Sequence, residues 1–166
     1  SGSIMMGLSR RIANGLRWRC DRLRYEWRHR WAQWRHGSTC QYVTIWSGAR
    51  LWVDQRDFRA YEIQQRGPSS GAGFTAWRLY AAQRPDLMID AGANYGEYTA
   101  AALPSGVPIL AIEPNPALVA CLHRRFDRVR HVMVCPVALG ARDEMRTLYW
   151  APQYSGRGSF SLASAQ

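Results

Sequence analysis

The spacing of apolar residues along the chain predicts an α/β protein. Continuous apolar runs at 87–89 and 109–112 are typical of parallel strands that are buried on both faces. Between these runs, the composition of Thr99 to Leu103 favours a helix. We therefore predict a strand–helix–strand unit, in which the first strand ends at Asp90 and the second ends at Glu113.

Four segments are predicted before this unit. Residues 40–54 alternate as a β-hairpin does, with a turn at Ser47-Gly48. Residues 54–66 show a mixed pattern without a defined element, and 67–73 is a Gly-rich loop. Residues 74–83 favour a helix. The residues of this helix that we expect to be partly buried are Trp77, Leu79, Tyr80 and Ala81.

After the unit, the pattern predicts a helix, two strands and a loop. Asn115 suits the N-cap of the helix and Pro116 its first position. Strands are predicted at 131–137 and 145–150, and a Gly/Ser loop at 154–161. The apolar stripe of the helix is formed by Leu118, Val119, Leu122 and Phe126.

The first 36 residues combine an apolar stripe with a high positive charge. They hold nine arginines against two acids, and thus seven of the ten net positive charges of the chain. Apolar residues recur at three- and four-residue steps, which predicts a long amphipathic helix over residues 4 to about 36. The stripe consists of Leu8, Ile12, Leu16, Cys20, Leu23, Trp27, Trp31 and Trp34. We therefore divide the chain into a basic Arg/Trp-rich helix at 1–37 and an α/β part at 38–166.

Three partners suit this basic helix. The stripe can pack on the α/β part of the same chain. It can also pack on a second copy of the chain, and this second arrangement would make a homo-oligomer. It can lie on an anionic membrane, since tryptophan with arginine is typical of interfacial helices. Its arginines can bind nucleic acid, but we rank this below a membrane because stacking on bases needs no periodic stripe. A non-catalytic basic protein that acts through this helix is the alternative to an enzyme.

The composition limits the protein class. A chain of 166 residues with 47% hydrophobic residues is typical of one globular domain. The four cysteines form no CxxC pair, and Cys121 with His123 lacks a second pair of ligands, so we expect no metal. The cysteine pattern favours a reducing cytosol, and no run reaches the ~20 apolar residues of a membrane span. We expect a cytoplasmic protein, peripheral to a membrane if residues 4–36 bind one.

The turn after the first strand has the features of a nucleotide-binding site. Ligands of open α/β sheets bind beyond the carboxyl ends of the strands. Gly92 and Gly96 allow the backbone to turn tightly and a ligand to approach. Glu113 follows Asp90 by 23 residues. A carboxylate about 20 residues past such a turn is well placed to accept hydrogen bonds from both ribose hydroxyls.

Two residues of the turn argue against a dinucleotide. The G-x-G-x-x-G pattern needs glycine where this chain has Asn94 and Glu97. Glu97 also brings a negative charge to the helix N-terminus, where a pyrophosphate would bind. S-adenosyl-L-methionine has no phosphate and carries a positive sulfonium, so it tolerates this acid. The sequence therefore favours S-adenosyl-L-methionine as cofactor, and a plain strand-to-helix turn is the alternative.

Three blocks of the sequence resemble the FkbM family of S-adenosylmethionine-dependent methyltransferases. The blocks are Asp90-Ala91-Gly92-Ala93-Asn94-Tyr95-Gly96-Glu97-Tyr98-Thr99, Ile112-Glu113-Pro114-Asn115-Pro116 and Val137-Ala138-Leu139-Gly140. Their order and spacing match the family, and the resemblance extends from about Trp46 to Ser161. It implies a class I methyltransferase fold with a Rossmann-like sheet. It also implies transfer of a methyl group to a hydroxyl of a small molecule, namely a sugar, glycan or secondary metabolite.

The resemblance also implies which residues bind the cofactor. The methionine end would be lined by Asp90, Gly92, Asn94 and Gly96. Glu113 would hold the ribose, with Asn115 beside it, and Ala138 would lie near the adenine. The predicted set is completed by Ala93, Tyr98 and Pro114.

The family continues into a strand with a Lys-x-Asp-x-Glu-Gly-like motif, whereas this sequence ends at Gln166. We therefore expect a sheet that is incomplete on the C-terminal side, with the strand at 87–89 as an exposed apolar edge. A partner, a second copy or the helix at 4–36 would have to cover that edge. No catalytic residue is assigned, because Glu97 fits a helix N-terminus at least as well as catalysis, and His123 is expected on a helix surface.

Overall fold

A computed structural model describes residues 39–65, 71–151 and 153–161. The chain divides into two compact units, Ser1–Thr39 and Cys40–Gln166. The predicted basic helix at 4–36 and the first part of the predicted loop, 67–70, lie outside the described residues.

The second unit is a mixed α/β structure with a parallel sheet. Its elements are β1 (Cys40–Thr44), β2 (Arg50–Asp54), α1 (Phe58–Gln65), α2 (Gly71–Ala82), β3 (Met88–Ala91), α3 (Glu97–Ala102), a 3₁₀ turn (Leu103–Ser105), β4 (Ile109–Ile112), α4 (Pro116–Phe126), β5 (Val132–Cys135), β6 (Tyr149–Ala151) and β7 (Tyr154–Ser159). Strands β3, β4 and β5 pair in parallel in that order. Two antiparallel hairpins, β1–β2 and β6–β7, complete the described sheets.

The strand–helix–strand unit is confirmed. Strand β4 begins at Ile109 as predicted and ends at Ile112, one residue before Glu113, and β3 is shifted by one residue to include Ala91. Helix α3 is short, and the 3₁₀ turn after it ends at Gly106, whose φ of +69° is a left-handed conformation that glycine adopts without strain. The predicted hairpin at 40–54 is also confirmed, as β1–β2.

Helix α4 forms as its sequence predicts. The side chain of Asn115 accepts a hydrogen bond from the Ala117 N–H, and Pro116 occupies the first turn. Its buried residues are Leu118, Cys121, Leu122 and Phe126, while Val119 is half-buried. This stripe packs in the main core with residues of β1, β2, α1 and α3, which are Val43, Leu51, Val53, Ala60, Ile63 and Ala100.

Two predicted loops are wrong in part, and one further segment forms an element that its pattern left undefined. Residues 58–65 form helix α1, although their pattern is mixed. Gly71 to Gly73 begin helix α2 instead of ending a loop, and Leu79 and Tyr80 are exposed on it. Residues 154–159 form strand β7, because they pair with β6, whereas their glycines and serines predicted a loop.

One face of the parallel sheet is open among the described residues. Ile89, Leu110 and Met133 are neighbours in register across β3, β4 and β5. Ile89 is 50% exposed and Met133 67%. The prediction that these strands are buried on both faces is therefore wrong for the part of the chain that the structure describes. Strand β3 lies at the edge of the described sheet, as expected.

Candidate functional site

The Gly-rich turn, residues 91–96, lies over the carboxyl end of β4. The backbone N–H groups of Gly92 and Ala93 both donate to the Ile112 carbonyl, each at 2.9 Å. Beyond Ile112, the Glu113 N–H donates to the Cys135 carbonyl at the end of β5, at 3.1 Å. The ends of the three parallel strands thus meet at the turn, where ligands of open α/β sheets bind.

Glu113 joins the turn to the start of α4. It is 6% exposed. One carboxylate oxygen accepts from the Asn94 N–H at 2.9 Å and the other from the Asn115 N–H at 3.0 Å. Burial raises the pKa of Glu113, and these two hydrogen bonds lower it in part. Each oxygen keeps a second lone pair, so the carboxylate can still accept from a ligand hydroxyl.

Asp90 holds the first turn of α3. Its Oδ2 accepts from the Thr99 N–H at 2.9 Å and from the Thr99 hydroxyl at 2.6 Å. Burial raises the pKa of Asp90, and the bonds from Thr99 lower it in part. The Asp90 carboxylate therefore fixes how β3 and α3 are joined through the turn.

Glu97 forms an ion pair that the sequence did not predict. Its Oε1 pairs with the Arg59 guanidinium of α1; the Glu97 side chain is buried and that of Arg59 is half-buried. Burial is the main cause that raises the pKa of Glu97; Arg59 lowers it and Asp90 raises it further. Arg59 lies 38 residues upstream, in a segment whose pattern predicted no element, so only a three-dimensional structure reveals the pair.

The backbone N–H groups of residues 92 to 96 in the turn are all used within the protein. Two of these groups make the bonds to Ile112 described above. The Asn94 N–H donates to the Glu113 carboxylate, and the Tyr95 N–H donates to the Asn94 side chain at 3.0 Å. The Gly96 N–H donates to the Ala93 carbonyl at 2.7 Å. Phosphate sites at helix N-termini need such groups to point at the ligand. From 92 to 96 none is left for a phosphate.

The two glycines of the turn have different surroundings. A Cβ on Gly92 would meet no atom within 4 Å, whereas one on Gly96 would lie 2.5 Å from the Phe126 ring. Both have positive φ, +77° and +82°. Gly92 thus leaves room for a ligand, and Gly96 is part of the core. Ala93, which is 4% exposed, also faces the core.

Asp57 links the turn to two other elements, and sequence reasoning missed it. It accepts from the Tyr95 hydroxyl at 2.7 Å, the Arg59 N–H at 2.9 Å and the Ser155 N–H at 3.0 Å. The Asn94 side-chain amide also donates to the Ser155 hydroxyl, at 3.2 Å. The β6–β7 hairpin is therefore fastened beside the turn.

The remaining predicted site residues differ in burial and in their contacts. Tyr98 is half-buried on α3, where its ring packs edge-on against Phe74 and its carbonyl accepts from Trp77 Nε1 at 2.9 Å. Pro114 is half-buried between Glu113 and Asn115, and Ala138 is exposed in the segment after β5. The structure thus brings Asp90, Gly92, Asn94, Glu113 and Asn115 together at the turn.

A cavity of about 280 Å³ lies next to the turn. It is lined by Tyr95 and Asn115 from the turn region, and by Trp52, Asp57, Trp150 and Ser155 around them.

His123 lies on the exposed surface of α4, as predicted, with Nδ1 2.7 Å from Asp127 Oδ1. Across the described ranges, no cluster of three or more metal-ligating side chains occurs. No helix within those ranges is long and apolar enough to cross a membrane.

Comparisons with known proteins give one structural likeness. No family model and no curated protein matches the chain. Among solved structures, it is similar to the crystal structure of the M. jannaschii tRNA m1G37 methyltransferase, with 20% sequence identity and a TM-score of 0.41. The match covers 67% of this chain and 33% of that protein, so this chain spans about a third of its length.

Proposed function

We propose that this chain is the cofactor-binding part of an S-adenosyl-L-methionine-dependent methyltransferase with a class I, Rossmann-like sheet. The observation that carries the proposal is the electrostatics of the turn. Three buried carboxylates, Asp90, Glu97 and Glu113, surround it. Its N–H groups from 92 to 96 are bonded within the protein. Such a site repels a pyrophosphate and attracts a ligand with positive charge.

The residues of the turn have separate tasks in this proposal. Gly92 leaves open space beside the end of β3, where the methionine end would lie. Glu113 has free lone pairs for the ribose hydroxyls and is already oriented by its two backbone hydrogen bonds. When bound, the cofactor supplies an electrophilic methyl group on its sulfur. The protein contributes by holding it in one orientation relative to an acceptor.

We further propose a hydroxyl of a sugar, glycan or secondary metabolite as the methyl acceptor. Support comes from the three blocks, 90–99, 112–116 and 137–140, that resemble the FkbM family. The cavity beside Tyr95 and Ser155 adjoins the turn and is lined by two tryptophans and several polar groups. Pockets that combine apolar walls with a few polar groups are typical of small-molecule sites.

Calorimetric titration of the 166-residue chain with S-adenosyl-L-methionine tests the cofactor. We expect binding that Glu113→Ala weakens by about tenfold or more, which corresponds to roughly 1.4 kcal/mol. Glu144→Ala is the matched control, because Glu144 is exposed and outside the turn. Unchanged affinity in Glu113→Ala, tighter binding of NAD than of S-adenosyl-L-methionine, or no binding by the folded wild-type chain would contradict the proposal.

A further inference from the structure

Glu97 has a buried carboxylate oxygen for which the described residues offer no partner. The residue is 5% exposed. Its Oε1 pairs with Arg59, but Oε2 is fully buried and makes no hydrogen bond. Buried polar atoms almost always have a partner, and leaving one without costs roughly 1–3 kcal/mol. A ligand group that donates to this oxygen would complete its hydrogen bonding.

Glu97 lies at the end of the turn. Glu97 directly follows Gly96 and begins α3. It lies close enough to Asp90 for the two negative charges to repel, and this repulsion adds to the rise in the pKa of Glu97. Two carboxylates, those of Asp90 and Glu97, therefore lie in the same region of the turn.

Arg59 does not balance the charge of this region. Its guanidinium pairs with Glu97 and also lies 3.9 Å from Glu62 Oε2, so one positive charge is shared between two acids. Asp90 is bonded to Thr99, which is neutral. The described side chains at the turn thus leave a net negative charge, and a cation is the ligand group that would lower its energy.

We propose that Glu97 Oε2 contacts a cationic group of S-adenosyl-L-methionine, its sulfonium or its α-ammonium, and thereby selects the charged cofactor. This inference rests on the proposed function and adds a specificity-determining residue to it. The opposing explanation is that the Glu97–Arg59 pair only joins α3 to α1. A purely structural pair would affect all ligands of the site equally.

Three ligands separate these explanations by calorimetry with wild type and Glu97→Gln. S-adenosyl-L-methionine has both cationic groups, S-adenosyl-L-homocysteine has only the ammonium, and 5′-methylthioadenosine has neither. We expect Glu97→Gln to bind S-adenosyl-L-methionine about tenfold more weakly, and 5′-methylthioadenosine with affinity within about twofold of wild type. Weaker binding of S-adenosyl-L-homocysteine as well assigns the contact to the ammonium, and unchanged binding assigns it to the sulfonium.

Two controls exclude a loss of folding. Glu144→Gln removes an acid that is exposed and outside the turn, and it should leave all three affinities unchanged. Glu97→Asp keeps the charge on a shorter side chain and should retain most of the preference for S-adenosyl-L-methionine over 5′-methylthioadenosine. The melting temperature of each variant shows that the binding data concern folded protein.

The remaining outcomes overturn the inference. If Glu97→Gln weakens the binding of all three ligands equally, or of none of them, Glu97 has only a structural role. The proposed function then still stands, because the wild-type chain binds the cofactor. If the folded wild-type chain binds no S-adenosyl-L-methionine, the proposed function fails and the inference fails with it.

Discussion

Gly96 is confined both by its backbone and by the core. Its φ of +82° is a conformation that costs other L-residues roughly 1–2 kcal/mol. A Cβ there would also lie 2.5 Å from Phe126 Cε2 and 2.9 Å from Leu122 Cδ2. Gly92, four residues earlier, has a similar φ but open surroundings. Thus only one of the two glycines in the turn is required by packing.

We expect Gly96→Ala to lower the free energy of unfolding more than Gly106→Ala does. Gly106 has a φ of +69°, and a Cβ on it would meet nothing within 4 Å, so alanine there should cost only the conformational strain, about 1–2 kcal/mol. Gly96→Ala should cost about 1–3 kcal/mol more, because the ring of Phe126 must move. Urea denaturation of both variants measures the difference. Equal losses would show that the core accommodates the methyl group.

At the scale of elements, Asp57 determines how three parts of the structure meet. It accepts one hydrogen bond each from the segment that begins α1, from the turn and from β7. It is 3% exposed, and its partner Tyr95 is also 3% exposed. Burial, and the negative charge of Asp57, raise the pKa of Tyr95 far above its ordinary value. The phenol is therefore a permanent donor to Asp57.

Removal of the Tyr95 hydroxyl should destabilise the fold. Tyr95→Phe leaves Asp57 Oδ2 buried without this donor, and we expect a loss of about 1–3 kcal/mol in the free energy of unfolding. Tyr154→Phe is the matched control, since its hydroxyl donates to Glu62 at a half-buried position and should matter less. In a double-mutant cycle with Asp57→Asn, the losses should be non-additive. Additive losses would contradict the assigned bond.

The elements that the sequence predicted are those whose signals are local. Strand β4 is a continuous apolar run that ends at an acid, and α4 has its N-cap, its first proline and its stripe within twelve residues. The turn is predicted by its glycines and by the spacing to Glu113. For such segments the residues that determine the structure are the residues of the segment itself.

The missed features depend on partners distant in sequence. Helix α1 is held by contacts of Phe58 with Gln153 and of Arg59 with Glu97, none of which a local pattern contains. Strand β7 has the glycines and serines of a loop but is ordered by pairing with β6. At the site, the sequence predicted Asp90 and Glu113. It did not predict Asp57 and Arg59, because their partners, Tyr95 and Glu97, each lie 38 positions further along the chain.

At the scale of the whole molecule, buried carboxylates determine how stability depends on pH. The pKa values of Asp90, Glu97 and Glu113 are all raised, chiefly by burial. Between the ordinary and the raised values, the folded chain binds more protons than the unfolded chain. The contribution of these groups to the free energy of unfolding therefore falls as pH rises above their ordinary values.

We expect Asp90→Asn to reduce this pH dependence. The asparagine does not ionise, so the variant should gain stability relative to wild type as pH rises through the weakly acidic range. Urea denaturation of both proteins at intervals between about pH 4 and pH 8 measures the difference in free energy. A difference that is constant over this range, or that changes in the opposite direction, would show that Asp90 is ionised at no cost in the folded state.

The hydrogen bonds inside the turn have a consequence for the entropy of binding. Because the N–H groups of residues 92 to 96 are bonded within the protein, folding alone orders the turn, and no ligand is needed to order it. A site that is ordered in advance loses little conformational freedom when it is occupied. The affinity of the site is then determined by the charges and the shape that contact the ligand. The turn has the same conformation before a ligand binds and after it leaves.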